Sequence, residues 1–223
     1  MGNLQKHDVN VFIDRYDLAN YVETGTGAAE CLQYAMSCKF KNFYSVEIHE
    51  EVYKMANNIL DRFVTKNKAV LSTELKDVKL LLGSSEEKIP EILEKLEGPT
   101  MFFLDAHFPG ADFKHARYDA VEDDNVRMPL SVELKTIVKN RDISKDVFII
   151  DDLWLYEEGN YEAGSFGAHM QRYFATEKYD AQKIKGSQTS EFIYKLLSET
   201  HNVTKDMRDQ GYLIFTPKKE TDE

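Results

Sequence analysis

Five carboxylates and one imidazole stand where they could bind or react with a ligand: Glu23, Glu47, Asp105, His107, Asp151 and Asp152. Each lies at or just past the end of an apolar run. FFLDAHFPG (102–110) puts Asp105 at the end of one run and His107 two residues on, and FIIDDLW (148–154) ends another with Asp151 and Asp152. If these runs are strands of one parallel sheet, the three aspartates emerge on a common edge. There they repel one another unless a cation or a proton intervenes. Oxygen donors of this kind suit magnesium, manganese or calcium. A neutral His107 beside them could act as a general base.

A second constellation lies upstream. YVETGTGAAECL (21–32) ends an apolar run with Glu23, then Gly25 and Gly27, and continues into a helical pattern. Glycines at a strand–helix junction let the backbone turn tightly and approach a ligand closely. The phosphate-loop ending GK[ST] is absent, and Glu30 takes the last position of a GxGxxG dinucleotide pattern. A fixed Glu23 carboxylate beside a pyrophosphate costs electrostatic energy, whereas beside a cationic amino group it helps. Glu47 follows Gly25 by 22 positions, at the end of NFYSVE. That spacing suits a carboxylate that accepts hydrogen bonds from ribose hydroxyls. Glu47 alone would serve NAD equally, so an NAD-dependent Rossmann oxidoreductase stands as an alternative. So does a non-catalytic binding protein of the same fold.

VETGTG resembles the first motif, E/D-x-G-x-G, of class I S-adenosylmethionine-dependent methyltransferases, with Ala28 and Ala29 where a further glycine often stands. The resemblance implies that Glu23, Gly25, Thr26 and Gly27 hold the methionine end of the cofactor and Glu47 its ribose. Ser84 or Ser85, after LLLG, would contact the adenine edge; a serine there also caps the following helix. Asp105 with the Asp151–Asp152 pair resembles the divalent-metal site of O-methyltransferases of the catechol and macrolide-sugar types. This implies a magnesium or other divalent ion held by those three residues. The lysine base of the catechol type has no counterpart, since Phe108 or Pro109 stands in its place, and His107 is the substitute. The implied reaction is O-methylation of a small hydroxylated acceptor, a sugar, glycan or natural product.

The elements that must position these residues follow from periodicity. Strands are expected over 18–24, 42–48, 78–82, 100–106 and 146–152, with helices over 28–39, 49–63, 86–96 and 129–140. Buried strands separated by helices mean a parallel α/β sheet. We expect a doubly wound, mostly parallel Rossmann-like sheet of about seven strands with helices on both faces. Later segments are expected as a helix over 164–176 and as strands over 179–185 and 211–217 that pair at a sheet edge. One domain is expected over 1–223, with a cofactor core near 18–155 and an acceptor-side region near 156–217. The loop 106–127 reads either as an acceptor lid or as a solvated acidic loop. Trp154, Tyr156, Tyr161 and Phe166 read either as a stacking surface or as packing.

Composition narrows the partners. The 223 residues carry a formal net charge of -11, which repels phosphate backbones and anionic lipid surfaces. Neither nucleic acid nor membrane is expected as a partner; a homo-oligomer is left open. Cys31 and Cys38 are too few for a zinc site and read as small buried side chains. MGNLQKHDVN lacks the apolar core of a signal peptide, so a cytoplasmic location is expected.

Overall fold

Strands covered on both faces need nearly continuous apolar runs, as in TMFFL and VFII, while NYVET, NFYSVE and VKLLL mix apolar with polar residues. In the computed structural model, which describes residues 3–68, 71, 78–173 and 184–218, these become β1 (Asn20–Thr24), β2 (Asn42–Glu47), β3 (Val78–Leu82), β4 (Thr100–Leu104) and β5 (Val147–Ile150). They pair in parallel. β7 (Tyr212–Pro217) runs antiparallel beside β5, and β6 (His201–Asp206) closes the edge antiparallel to β7. The sheet has seven strands in the order β3-β2-β1-β4-β5-β7-β6. β1 therefore lies between β2 and β4, where the winding reverses and where α/β sheets open a ligand crevice.

The helices are α1 (Val9–Tyr16), α2 (Glu30–Met36), α3 (Glu50–Asn67), α4 (Ser85–Leu93), α5 (Asp124–Arg127), α6 (Leu130–Asn140), α7 (Phe166–Tyr173) and α8 (Glu191–Leu197). Side chains alternate across each strand, so the sheet feeds two cores. Tyr21, Phe43, Met101, Phe103 and Ile149 pack with Val9 of α1, Leu32 of α2 and Leu60 of α3. Val22, Val46, Phe102, Phe148 and Ile150 pack against Ile89 of α4, Leu134 of α6 and Ile193 of α8. Each fully buried large apolar side chain contributes about 1.5–3 kcal/mol. The doubly wound α/β sheet with helices on both faces is the architecture expected from periodicity.

The differences lie at the ends. α1 and α8 were not expected, and neither was β6, whose central residues Asn202–Lys205 are exposed and show no apolar run. β7 does pair at the sheet edge, but its edge partner is β6. Residues 179–183 of the strand expected over 179–185 lie outside the described residues, and Ile184 and Lys185 are helical. The helix expected over 164–176 is α7 as far as it is described. Cys38 is buried, Cys31 partly so, and both are free thiols. No helix among the described residues is long and apolar enough to cross a membrane.

Candidate active site

The glycine loop is held between the ends of β2 and β4. Gly25 has φ +80° and Gly27 φ +53°, left-handed values that favour glycine. A Cβ on Gly25 would lie 2.6 Å from the Asp105 carbonyl oxygen, so the loop can reach the β4 end only with glycine there. The Gly25 and Thr26 amides donate to the Val46 carbonyl at 2.9 and 3.2 Å. The Gly27 amide donates to Glu47 Oε2 at 3.0 Å, and the His49 amide to Glu47 Oε1 at 2.9 Å. Glu47 thus ties the loop to the start of α3, and burial raises its carboxyl above the ordinary range.

Glu23 is buried and accepts from Tyr21 Oη at 2.6 Å and from Ser45 Oγ at 2.6 Å. Ser45 Oγ also lies 2.5 Å from Thr26 Oγ1. Burial pushes the Glu23 carboxyl up to about 7, against the pull of the Ser45 and Tyr21 hydroxyls. A chain of hydroxyls therefore connects Glu23 to the loop.

A cavity of about 810 Å³, including space open to solvent, lies at the strand ends. Gly25, Gly27, Glu47, Ser84, Asp105 and His107 are among its walls. Ser85 also lines it, whereas Glu23 and Thr26 do not reach the wall. Ser84 caps α4, accepting from the Glu87 amide at 3.3 Å. Phe113 reaches back over the loop: a Cβ on Gly27 would meet its ring at 3.4 Å. The loop 106–127 is partly packed and partly solvated. Phe108 and Ala111 join the core, and His115 stacks on His49 with centroids 4.8 Å apart. Its acidic residues are solvated or locally paired: Asp119 with Arg117, Asp124 with Arg127, and Asp123 capping α5.

Beyond β4 and β5 the charged groups meet. One ligand atom each from Asp105, His107 and Asp152 lies within 4.8 Å of the others. His107 Nε2 is 3.3 Å from Asp105 Oδ1 and is ion-paired with Asp152 Oδ2. Burial opposes a charged His107 ring, but Asp152 and Asp105 outweigh it and its pKa lies well above the ordinary value. Burial pushes Asp152 up, and the His107 charge more than offsets this, leaving its carboxyl below the ordinary range. Asp105 stays above it through burial.

Asp151 was expected to share this work, yet it is not part of the group. Its Oδ1 accepts from the Asp152 amide at 2.6 Å, and Oδ2 is buried with no hydrogen-bond partner. Burial and the charges of Asp105 and Asp152 hold its carboxyl well above the ordinary range. Asp152 has φ +53° and ψ +46°, a left-handed residue whose side chain meets His107.

One acid escaped sequence reasoning. Glu133 of α6 is 1% exposed, and neither of its oxygens has a hydrogen-bond partner. With Asp105, His107, Asp151 and Tyr156 it lines a second, small cavity. Burial pushes its carboxyl up to about 7. The signal was present: Leu130, Glu133, Leu134 and Ile137 follow the i, i+3, i+4, i+7 stripe of a core-facing helix. Trp154, Tyr156, Tyr161 and Phe166 resolve to packing, since all four are buried in the core.

No family model and no curated protein matches the sequence. Solved structures do match its fold. The O-methyltransferase from Bacillus cereus in complex with SAH is 13% identical with a TM-score of 0.53, the alignment covering 98% of this chain and 82% of that one. The O-methyltransferase TomG from Streptomyces achromogenes, involved in tomaymycin synthesis and in complex with SAM, is 12% identical with a TM-score of 0.55, covering 97% and 81%. The methyltransferase domain of bacterial CtHen1-C is 12% identical with a TM-score of 0.52, covering 94% of each. The chain has the class I methyltransferase fold shared by these proteins.

Proposed function

We propose that this chain is an S-adenosylmethionine-dependent methyltransferase that methylates a hydroxyl of a small acceptor, a sugar, glycan or natural product, with help from a divalent cation. The observation that carries the reading is that one cavity wall holds both the glycine loop with Glu47 and the Asp105–His107 pair. The first group would hold the cofactor in the same cavity that the Asp105–His107 pair lines. The residues fit the cofactor: Gly25 and Gly27 leave room for close approach, Glu47 offers oxygens to ribose hydroxyls, and Ser84 and Ser85 stand where an adenine edge would reach. Glu23 acts from behind the loop. It fixes Thr26 through Ser45 and, when ionised, favours a cationic amino group.

When bound, S-adenosylmethionine supplies a methyl carbon on a positively charged sulfur, open to in-line displacement by an acceptor oxygen. The hydroxyl proton must leave as that oxygen bonds carbon. The Asp105 and Asp152 carboxylates hold His107 as the imidazolium, so its Nε2 can take that proton only after giving up its own. A divalent cation on the same carboxylates supplies the alternative, lowering the hydroxyl pKa directly. The net charge of -11 disfavours a nucleic-acid acceptor.

The test is a thermal-shift series with S-adenosylhomocysteine, NAD and ATP, each with and without divalent metal. S-adenosylhomocysteine is expected to stabilise by about 2.7 kcal/mol at a hundredfold excess over its Kd, and Glu47→Ala to remove most of that shift. Stabilisation by NAD alone overturns the reading.

A further inference from the structure

We propose that the Asp105–His107–Asp152 centre binds its cation through the His107 imidazole nitrogen as well as the two carboxylates, and so selects Mn2+, Fe2+, Co2+ or Zn2+ over Mg2+ and Ca2+. This rests on the cation-assisted reading above and names both the ligand set and the class of ion. An all-oxygen set built from Asp105, Asp151 and Asp152 would suit a hard ion such as Mg2+. The structure assembles a different set.

Geometry comes first. Ligand atoms held about 2.1 Å from one ion lie roughly 3–4 Å apart. The atoms of Asp105, His107 and Asp152 lie within 4.8 Å of one another, so small side-chain rotations close them around an ion. Asp151 is not among the atoms grouped there, and its Oδ1 accepts from the Asp152 amide. It acts as a positioning residue, helping to hold the left-handed turn that aims Asp152 at the centre. The imidazole is the second, independent sign. His107 is about nine-tenths buried, and neither Nδ1 nor Nε2 makes a hydrogen bond of normal geometry. Nε2 nonetheless faces both carboxylates. A buried imidazole nitrogen aimed between two carboxylates is placed as a ligand.

Chemistry selects the ion. Imidazole suits Zn, Cu, Fe and Ni, and affinity at a site with such a nitrogen rises from Mn2+ through Fe2+ to Co2+, whereas Mg2+ is held by oxygen donors and keeps most of its water. Two carboxylates and a neutral imidazole bring two negative charges, matching a divalent ion. One imidazole with two carboxylates leaves further coordination positions vacant. Asp105 and His107 line the main cavity, so those positions face the place where an acceptor hydroxyl would enter.

The experiment uses the full chain. Titration calorimetry compares Mg2+, Ca2+, Mn2+ and Co2+, and pulsed electron paramagnetic resonance of the Mn2+-loaded wild type reports a coordinated nitrogen-14. The expected results are at least tenfold tighter binding of Mn2+ and Co2+ than of Mg2+ and a nitrogen coupling. His107→Gln should weaken Co2+ binding at least tenfold and change Mg2+ binding less than threefold. Equal affinities, or a Mn2+ signal without nitrogen coupling, overturn the proposal; the second readout needs no variant to fold. If S-adenosylhomocysteine stabilises the chain but no ion binds, this inference fails and methyl transfer without metal stands. If the ions bind as expected and S-adenosylhomocysteine does not, the centre stands and the methyltransferase reading falls.

Discussion

The fold buries its acids in two ways within one sheet edge. Asp105 and Asp152 face the His107 imidazole, and the three groups offset one another's charge. Glu23 and Glu133 face no cation. Glu23 is met by the hydroxyls of Tyr21 and Ser45, Glu133 by no hydrogen bond, and burial pushes both carboxyls up to about 7. His107 draws Asp152 below the ordinary carboxylate range and pulls against the burial of Asp105, whereas Glu23 and Glu133 rise to about 7. The difference is the presence of a counter-charge, since burial is nearly complete in both. A buried carboxylate without a partner shifts its pKa and neutralises.

Removing the counter-charge should break that contrast most severely. His107→Ala leaves two buried carboxylates facing each other, and losing one partner of a buried ion pair costs about 3–5 kcal/mol. Urea unfolding at pH 7 should show a loss of that size. Mn2+ should restore part of it, because a divalent ion can occupy the space the imidazolium leaves. A loss under about 1 kcal/mol would mean that the aspartates are not held by charge.

The acids without a counter-charge predict a pH dependence. A carboxyl with a folded pKa near 7 and an ordinary value of 4.5 binds protons more tightly in the folded state. Its contribution to stability is full below about pH 4.5 and falls as pH rises to about 7. For Glu133 the loss is roughly 3 kcal/mol, at about 1.4 kcal/mol per pKa unit. Glu133→Gln cannot ionise, so relative to the wild type it should gain stability at pH 8 and show no such gain at pH 4.5. Denaturant unfolding at the two values measures the difference. An unchanged slope would place Glu133 with the ion-paired aspartates, erasing the contrast.

How much of this was legible follows the same physics. β4 reads as TMFFL and β5 as VFII because both faces of each strand are buried, and Asp105 and Asp151 mark where that burial ends. The choice between Asp151 and Asp152 was not legible. It turns on the left-handed backbone of Asp152, which no spacing announces. β6 was hidden because an edge strand with exposed central residues needs no apolar alternation, and α8, EFIYKLL, is too short for its period to stand out. Glu133 was legible but was read as one of the polar residues of an amphipathic helix. Glu23 was read as a ligand group; its contacts with the Tyr21 and Ser45 hydroxyls, set back from the cavity wall, were not legible.

The smallest effect belongs to a residue between the two kinds of acid that carries no charge. Ala29 stands at the N-terminus of α2 with φ +57° and is fully buried. Left-handed backbone costs a residue with a Cβ about 1–2 kcal/mol. Ala29→Gly removes that strain but loses about 0.8 kcal/mol of methyl burial and adds about 0.4–1 kcal/mol of unfolded-chain entropy. These nearly cancel, so a change under about 1 kcal/mol is expected. Ala35, equally buried but inside α2, has no strain to relieve, and Ala35→Gly should cost about 2 kcal/mol through lost helix propensity and burial. Since Ala29→Gly leaves every acid in place, it should also leave the pH profile and any Mn2+ response as in the wild type. A change in either would tie the backbone of the glycine loop to the charge state of the centre, and the two ways of burying acid would then be one coupled system.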